Sequence, residues 1–255
     1  RILGKPYTFT IHGIYDLYIA PPEDLRDRAG LAKKAITISN YNKRYMMNKF
    51  NILDEKIEVV HSGIDLNFFS ENHREMTSEK IILSVARLDP VKSLDTLIKA
   101  CDILNRENIK FKCLIIGEGK SRKELEDLIE KLGLKDKVYL MGAKRIEDVI
   151  DYYKKATIFV LPSKEETMGL STIEAMASGL PVISTNIYGI PELIEHGLNG
   201  YLINPGDDKR LAEYLKELLR DENKCIKMGK FGRKKIEKDF NLEKEVNKLI
   251  VVFNG

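Results

Sequence analysis

The chain has 255 residues, enough to bury a real core in one or two domains of about 150 residues and too many for a scaffold held by staples. Hydrophobic residues make up 43% and charged residues 32%, a balance that excludes disorder as the main state. With 42 Lys and Arg against 39 Asp and Glu the net charge is +3, too small and too mixed for a nucleic-acid partner, so any basic function is local. The three cysteines, Cys101, Cys113 and Cys225, are an odd number without C-x-x-C spacing. They argue against a disulfide framework or a zinc site and for a reducing, cytoplasmic compartment. Apolar runs such as 81–85 and 158–161 fall far short of the roughly 20 residues that cross a bilayer, and no leader pattern opens the chain.

In chain order, the first segment reads as an α/β piece: strand 7–11, helix 22–34, strand 35–39, helix 40–50 and strand 57–61. It is too small for an independent sheet domain. Because the chain opens on Arg1 rather than Met and runs at once into a strand, an N-terminal part is expected to precede it. Residues 67–79 are polar and aperiodic and are read as a linker. The expected division is therefore 1–66, linker 67–79, a main domain over 80–240, and a final helix over 241–255.

From residue 80 onward, apolar runs at 80–85, 111–116, 137–140, 157–161, 181–184 and 201–203 alternate with amphipathic stretches. That alternation predicts an α/β fold with a doubly wound parallel sheet. Leu94, Leu97, Ile98, Cys101 and Leu104 form one helical stripe that can face the sheet. Ser121 and Glu124 have capping-box spacing at the next helix, and Gly133 supplies its stop. The last helix carries Val246, Leu249, Ile250 and Phe253 as an apolar stripe that packs back on the first segment or drives dimerisation.

Ligands of such sheets bind beyond the carboxyl ends of the strands, so three loops are singled out. After strand 80–85 come Arg87 and Lys92, two cations beside a helix N-terminus, where cations are disfavoured unless an anion shares the site. Read alone, they are equally solvated cations. Gly117 and Gly119 follow strand 111–116 and either let backbone approach a ligand or merely form a tight turn, since Arg122 breaks the full G-x-G-x-x-G pattern. The third loop enters a helix near Gly169, offering the amides of Gly169, Leu170 and Ser171 to a phosphate, with Glu166 before this end and Glu174 inside it. Carboxylates flanking a phosphate cradle suit the hydroxyls of a nucleotide sugar.

These residues carry a close resemblance to the GT-B retaining glycosyltransferases of family 4, the glycosyl transferases group 1. Their E-x7-E signature resembles Glu166-Thr-Met-Gly-Leu-Ser-Thr-Ile-Glu174, and the likeness extends to 84–92, 116–119, 189–200 and the junction at 61–65. It also reaches Thr8-Phe-Thr-Ile-His12-Gly and Ile36-Thr-Ile-Ser39, similar to the end of the family's N-terminal domain. The resemblance implies a GT-B architecture, with a C-terminal Rossmann-like domain and the remnant of a second. Members that build exopolysaccharides or cell-surface glycans are the most similar.

By that resemblance Arg87 and Lys92 hold the donor diphosphate, Glu174 the ribose, Glu166 the sugar hydroxyls, and His12 the sugar from the opposite domain. The alternative for His12, read alone, is a buried, satisfied histidine. Gly117, Gly119, Met168, Gly169, Leu170 and Ser171 complete the expected donor site. Ser93 stands where a glycine often follows the lysine, Met168 where an aromatic residue often precedes the glycine, and Tyr188 in the first place of a common glycine pair. The implied reaction is retaining transfer from a UDP- or GDP-linked sugar to a glycan or lipid-linked acceptor, without further cofactor. No two aspartates stand two apart to hold a metal in a D-x-D pair, so metal independence is expected. The alternatives are an epimerase or phosphorylase of the same architecture, or a nucleotide-sugar-binding module inactive alone. The cluster Lys230, Arg233, Lys234, Lys235 and Lys238 reads either as a solvated helix face or as a peripheral contact with anionic lipid at the inner membrane face.

Overall fold

The computed structural model describes residues 6–13, 17, 22–69 and 79–254. Two parallel sheets form. The first orders β1 (Thr8–Ile11), β2 (Lys34–Thr37) and β3 (Ile57–Val59) as β1-β2-β3, connected by α1 (Pro22–Leu31) and α2 (Asn40–Phe50). Helix α1 ends at Leu31, short of the expected Lys34, because Lys34 already pairs with Thr8 in the sheet. Ser39 leaves its expected strand to become the extended N-cap of α2, accepting from the Asn42 amide at 3.1 Å.

The second sheet contains β4 (Ile81–Val85), β5 (Lys112–Ile116), β6 (Val138–Leu140), β7 (Ile158–Leu161), β8 (Val182–Thr185) and β9 (Gly200–Ile203), in the order β6-β5-β4-β7-β8-β9. Its helices are α3 (Leu94–Arg106), α4 (Arg122–Lys131), α5 (Ile146–Lys155), α6 (Leu170–Ala177), α7 (Ile190–Leu193), α8 (Asp208–Arg220) and α9 (Glu222–Asp239). β4 and β7 are near-continuous apolar runs because helices cover both faces, and β8 is as fully buried, with the hydroxyls of Ser184 and Thr185 given to the carbonyls of Leu161 and Ser163. The α3 stripe of Leu94, Leu97, Ile98, Cys101 and Leu104 is buried on one face of the sheet. Tyr153, Phe159, Met176 and Phe240 are buried among the side chains on the other. All three cysteines are buried and outside any disulfide, and the Cys225 thiol donates to the Leu218 carbonyl at 3.0 Å.

Two crossings join the sheets. The chain leaves the first sheet through Ile64, whose amide donates to the Phe240 carbonyl at 2.9 Å, and returns where the Leu242 amide donates to the Ile64 carbonyl at 3.1 Å. The last helix, α10 (Leu242–Asn254), then lies on the first sheet, with Val252 and Leu249 packed against Ile36 and Val60. The expected packing stripe does not form as a unit. Leu249 alone of its four residues packs, while Val246, Ile250 and Phe253 are exposed, because Glu245 turns inward to accept from the His61 amide at 2.7 Å.

Three further readings meet the structure. Of the expected linker, residues 70–78 lie outside the described residues. The capping box at Ser121 does not form: its backbone is already turned (φ −86°, ψ 2°), and its amide is drawn onto the Leu88 carbonyl at 2.9 Å, so the hydroxyl caps nothing. In the basic cluster, Arg233 belongs to neither expected face. It is largely buried, donates to the carbonyls of Phe69 and Ala177, and pairs with Glu237 at 2.6 Å. No helix among the described residues is long and apolar enough to cross a membrane.

Candidate functional site

The strand order reverses between β4 and β7, and the loops leaving these two strands lie side by side at the carboxyl edge. The Lys164 amide donates to the Val91 carbonyl at 2.7 Å and ties them together. Above them is a cavity of about 440 Å³, walled by Arg87, Asp89 and Lys92, by Lys120, by Glu165, Glu166 and Thr167, and, from the first sheet, by Gly13.

The loop after β4 is shaped by its own residues. Asp89 accepts from the Val91 amide at 3.2 Å and opens a short turn over Pro90–Lys92. That bond, with Lys120 and Arg87 nearby, holds the Asp89 carboxyl below its ordinary range. Ser93 then enters the left-handed region (φ 48°), which turns the chain into α3 and leaves Lys92 facing the cavity. Lys92 pairs with Glu166, and both side chains are mostly buried. Lys120 pairs with Asp89 at 3.4 Å. Arg87 is exposed and, among the described residues, pairs with no carboxylate.

The loop after β7 ends at Gly169, which takes φ 68° as the N-cap of α6 and has no side chain to satisfy the helix. Among the described residues, none accepts from the amides of Gly169, Leu170 or Ser171. Met168 is buried beneath this turn and Leu170 stands out of it. One turn further in, Glu174 accepts from the Tyr153 hydroxyl at 2.8 Å. Burial raises the Glu174 carboxyl above its ordinary pKa, opposed by the Tyr153 bond, and burial together with this carboxylate pushes the Tyr153 hydroxyl well up.

Arg87, Lys92 and Glu166 thus share one cavity, and 169–171 with Glu174 continue from its Glu166 wall into α6. His12 is exposed at the end of β1, one residue before Gly13, so the buried-histidine alternative is wrong. Gly117 and Gly119 do not line the cavity. A Cβ on Gly117 would lie 1.9 Å from the Ala86 carbonyl oxygen, and one on Gly119 would lie 2.4 Å from that of Leu88. The Gly117 amide is already given to Gly142 at 3.0 Å. These glycines bring one loop against another, the turn reading, rather than exposing backbone to a ligand.

Asp89, Lys120 and Tyr153 complete the site and are missed by motif spacing. Asp89 before Pro90 carries a readable capping signal, whereas Lys120 and Tyr153 reach the site only through loop and helix packing.

A family model for "Glycosyl transferases group 1" matches residues 66–235. The amylovoran biosynthesis glycosyltransferase AmsK of Erwinia amylovora is 39% identical over 194 residues, 73% of this chain and 48% of that protein. The putative colanic acid biosynthesis glycosyltransferase WcaL of Escherichia coli is 34% identical over 203 residues, 76% of this chain and 50% of that protein. The chain therefore spans about half the length of these curated relatives. Among solved structures, Anabaena Alr3699/HepE in complex with UDP superposes with a TM-score of 0.89 at 21% identity, covering 99% of this chain and 73% of that one. A glycosyltransferase from Rickettsia africae gives a TM-score of 0.87 at 23% identity, covering 96% and 69%. With two Rossmann-like parallel sheets in the GT-B arrangement and a family match over more than half its length, the chain belongs to the glycosyl transferases group 1 family.

Proposed function

We propose that the protein is a retaining, metal-independent glycosyltransferase that moves a sugar from a nucleoside-diphosphate sugar to a glycan or lipid-linked acceptor in surface-polysaccharide assembly. The observation that carries this reading is the single cavity in which Arg87, Lys92 and Glu166 face Gly13 across the two sheets. The names of the relatives AmsK and WcaL support the polysaccharide context, and the UDP complex of HepE supports a uridine donor.

As the glycosidic bond breaks, negative charge grows on the departing diphosphate. Arg87, which pairs with no carboxylate among the described residues, is the cation best placed to take that charge, and the amides of 169–171 add oriented donors. Lys92 is held by Glu166. A diphosphate that draws Lys92 away frees the Glu166 carboxylate for sugar hydroxyls, so donor binding and sugar positioning are coupled through one ion pair. Glu174, presented by Tyr153, suits the ribose diol, and His12 approaches the sugar from the first sheet. With cations and amides as the electrophilic elements, no metal is needed for the leaving group. Three buried thiols suit a reducing cytoplasm.

The reading is tested with isotopically labelled UDP- and GDP-sugars and a panel of glycan and lipid-linked acceptors, following the product's anomeric configuration by NMR. Transfer with retention, unchanged by a chelator, is the expected result. Inversion, isomerised donor, phosphorolysis, or loss of activity after chelation each overturns a named part of it.

A further inference from the structure

Helix α7 belongs to the second sheet, yet the Glu192 carboxylate on it is spent on the first. Glu192 Oε2 accepts from the Asn40 amide at 2.9 Å and from Asn40 Nδ2 at 3.0 Å, and Oε1 accepts from the Tyr41 amide at 2.6 Å. The Asn42 amide is taken by the Ser39 hydroxyl at 3.1 Å. Three leading donors of α2 are thus satisfied, two of them by a carboxylate about 150 residues away that meets the positive end of the helix dipole.

The same turn touches the cavity wall. The Gly189 amide donates to the Thr167 carbonyl at 3.1 Å, and a Cβ there would lie 2.2 Å from that oxygen and 3.2 Å from Ser39 Cβ. The ring of Tyr188 meets that of Tyr41 edge-on at 5.3 Å. Residues 188–192 are therefore wedged between the loop that carries Glu166 and the N-terminus of α2.

We propose that Glu192 is a positioning residue, a clamp between the two sheets that sets the width of the cavity between Gly13 on one side and Arg87, Lys92 and Glu166 on the other. Its geometric part stands alone, and its effect on turnover rests on the donor reading above. A carboxylate serves better than an amide, because charge–dipole attraction adds to the hydrogen bonds and both oxygens accept.

The test places spin labels at Lys49 on α2 and Lys123 on α4, both exposed, and measures their separation by electron–electron resonance in the parent chain, Glu192→Gln and Glu192→Ala. The distribution is expected to broaden and lengthen in Glu192→Ala, with the near-isosteric Glu192→Gln intermediate and both variants folded by circular dichroism. In parallel, UDP affinity, which depends on the second sheet, is expected to change less than 2-fold. Sugar release from UDP-glucose, which needs both sheets, falls at least 10-fold in kcat. An unchanged distance distribution in both variants overturns the clamp, as does a loss of UDP affinity as large as the loss of kcat. If the parent chain binds neither UDP nor UDP-glucose, the donor reading fails while the distances still decide the clamp.

Discussion

The loops after β4 and β5 leave neighbouring strands in the same direction and solve opposite problems. The first carries Arg87, Asp89 and Lys92 into the cavity, whereas the second sends only Lys120 to its wall and presses Gly117 and Gly119 against the carbonyls of Ala86 and Leu88. The charges of one loop are held in place by the missing side chains of the other. A motif reading ranks both as ligand contacts, but Arg87 and Lys92 line the cavity and Gly117 and Gly119 do not.

Arg87→Ala tests the charged side of this contrast most severely. It should lower transfer by about 10²-fold or more, close to 3 kcal/mol of transition-state stabilisation, while the melting temperature stays put. A turnover unchanged from the parent removes Arg87 from the leaving-group role. Gly117→Ala tests the other side, since its φ of 143° and the 1.9 Å approach to the Ala86 oxygen leave no room for a methyl group. Chemical denaturation should show a loss of about 2–4 kcal/mol, and transfer should fall with it because Arg87 is displaced. A stable Gly117→Ala variant with normal activity would erase the contrast between the loops.

Glu174→Gln separates stability from function. Burial raises the Glu174 carboxyl above its ordinary value of 4.5, so between that value and the raised one the folded state holds more protons than the unfolded. Stability is therefore lost as pH rises through this window. The glutamine variant, which does not ionise, should melt higher than the parent at neutral pH, with the gap closing on acidification, while nucleotide affinity falls. A gap independent of pH would contradict the burial of this carboxylate. Smallest of all, Ser121→Ala should change stability by no more than about 0.5 kcal/mol, half of what a working N-cap contributes, because its hydroxyl caps nothing.

The order of elements was legible because apolar runs of four or five residues punctuated by amphipathic helices have few other interpretations. Glu166 and Glu174 were legible through their spacing, which puts one before and one inside the helix that starts at Leu170. Two departures from the family pattern acquire a physical meaning only in three dimensions: Ser93 and Tyr188, where glycines are common, sit at φ 48° and 45°. Ser93 is supported there by its hydroxyl contacts to Asp95 at 3.2 Å and Thr96 at 2.9 Å, and Tyr188 by Tyr41. The Ser121 cap and the α10 stripe misled because spacing reports which residues can share a face, not which competitor wins it. A buried Glu245 and the pull of Leu88 on the Ser121 amide decided those cases. Tyr153 acts across helices, so no local pattern announces it, and Glu192 lies in the family-like stretch 189–200 but its target at the start of α2 is about 150 residues away.

Calorimetric titration of UDP and GDP into the parent chain and Arg87→Ala probes the central claim most directly. The account predicts saturable binding of at least one nucleotide to the parent and at least a 10-fold weaker affinity in the variant, with an unchanged melting temperature. Binding of equal strength to both proteins, or none to the parent, would contradict it.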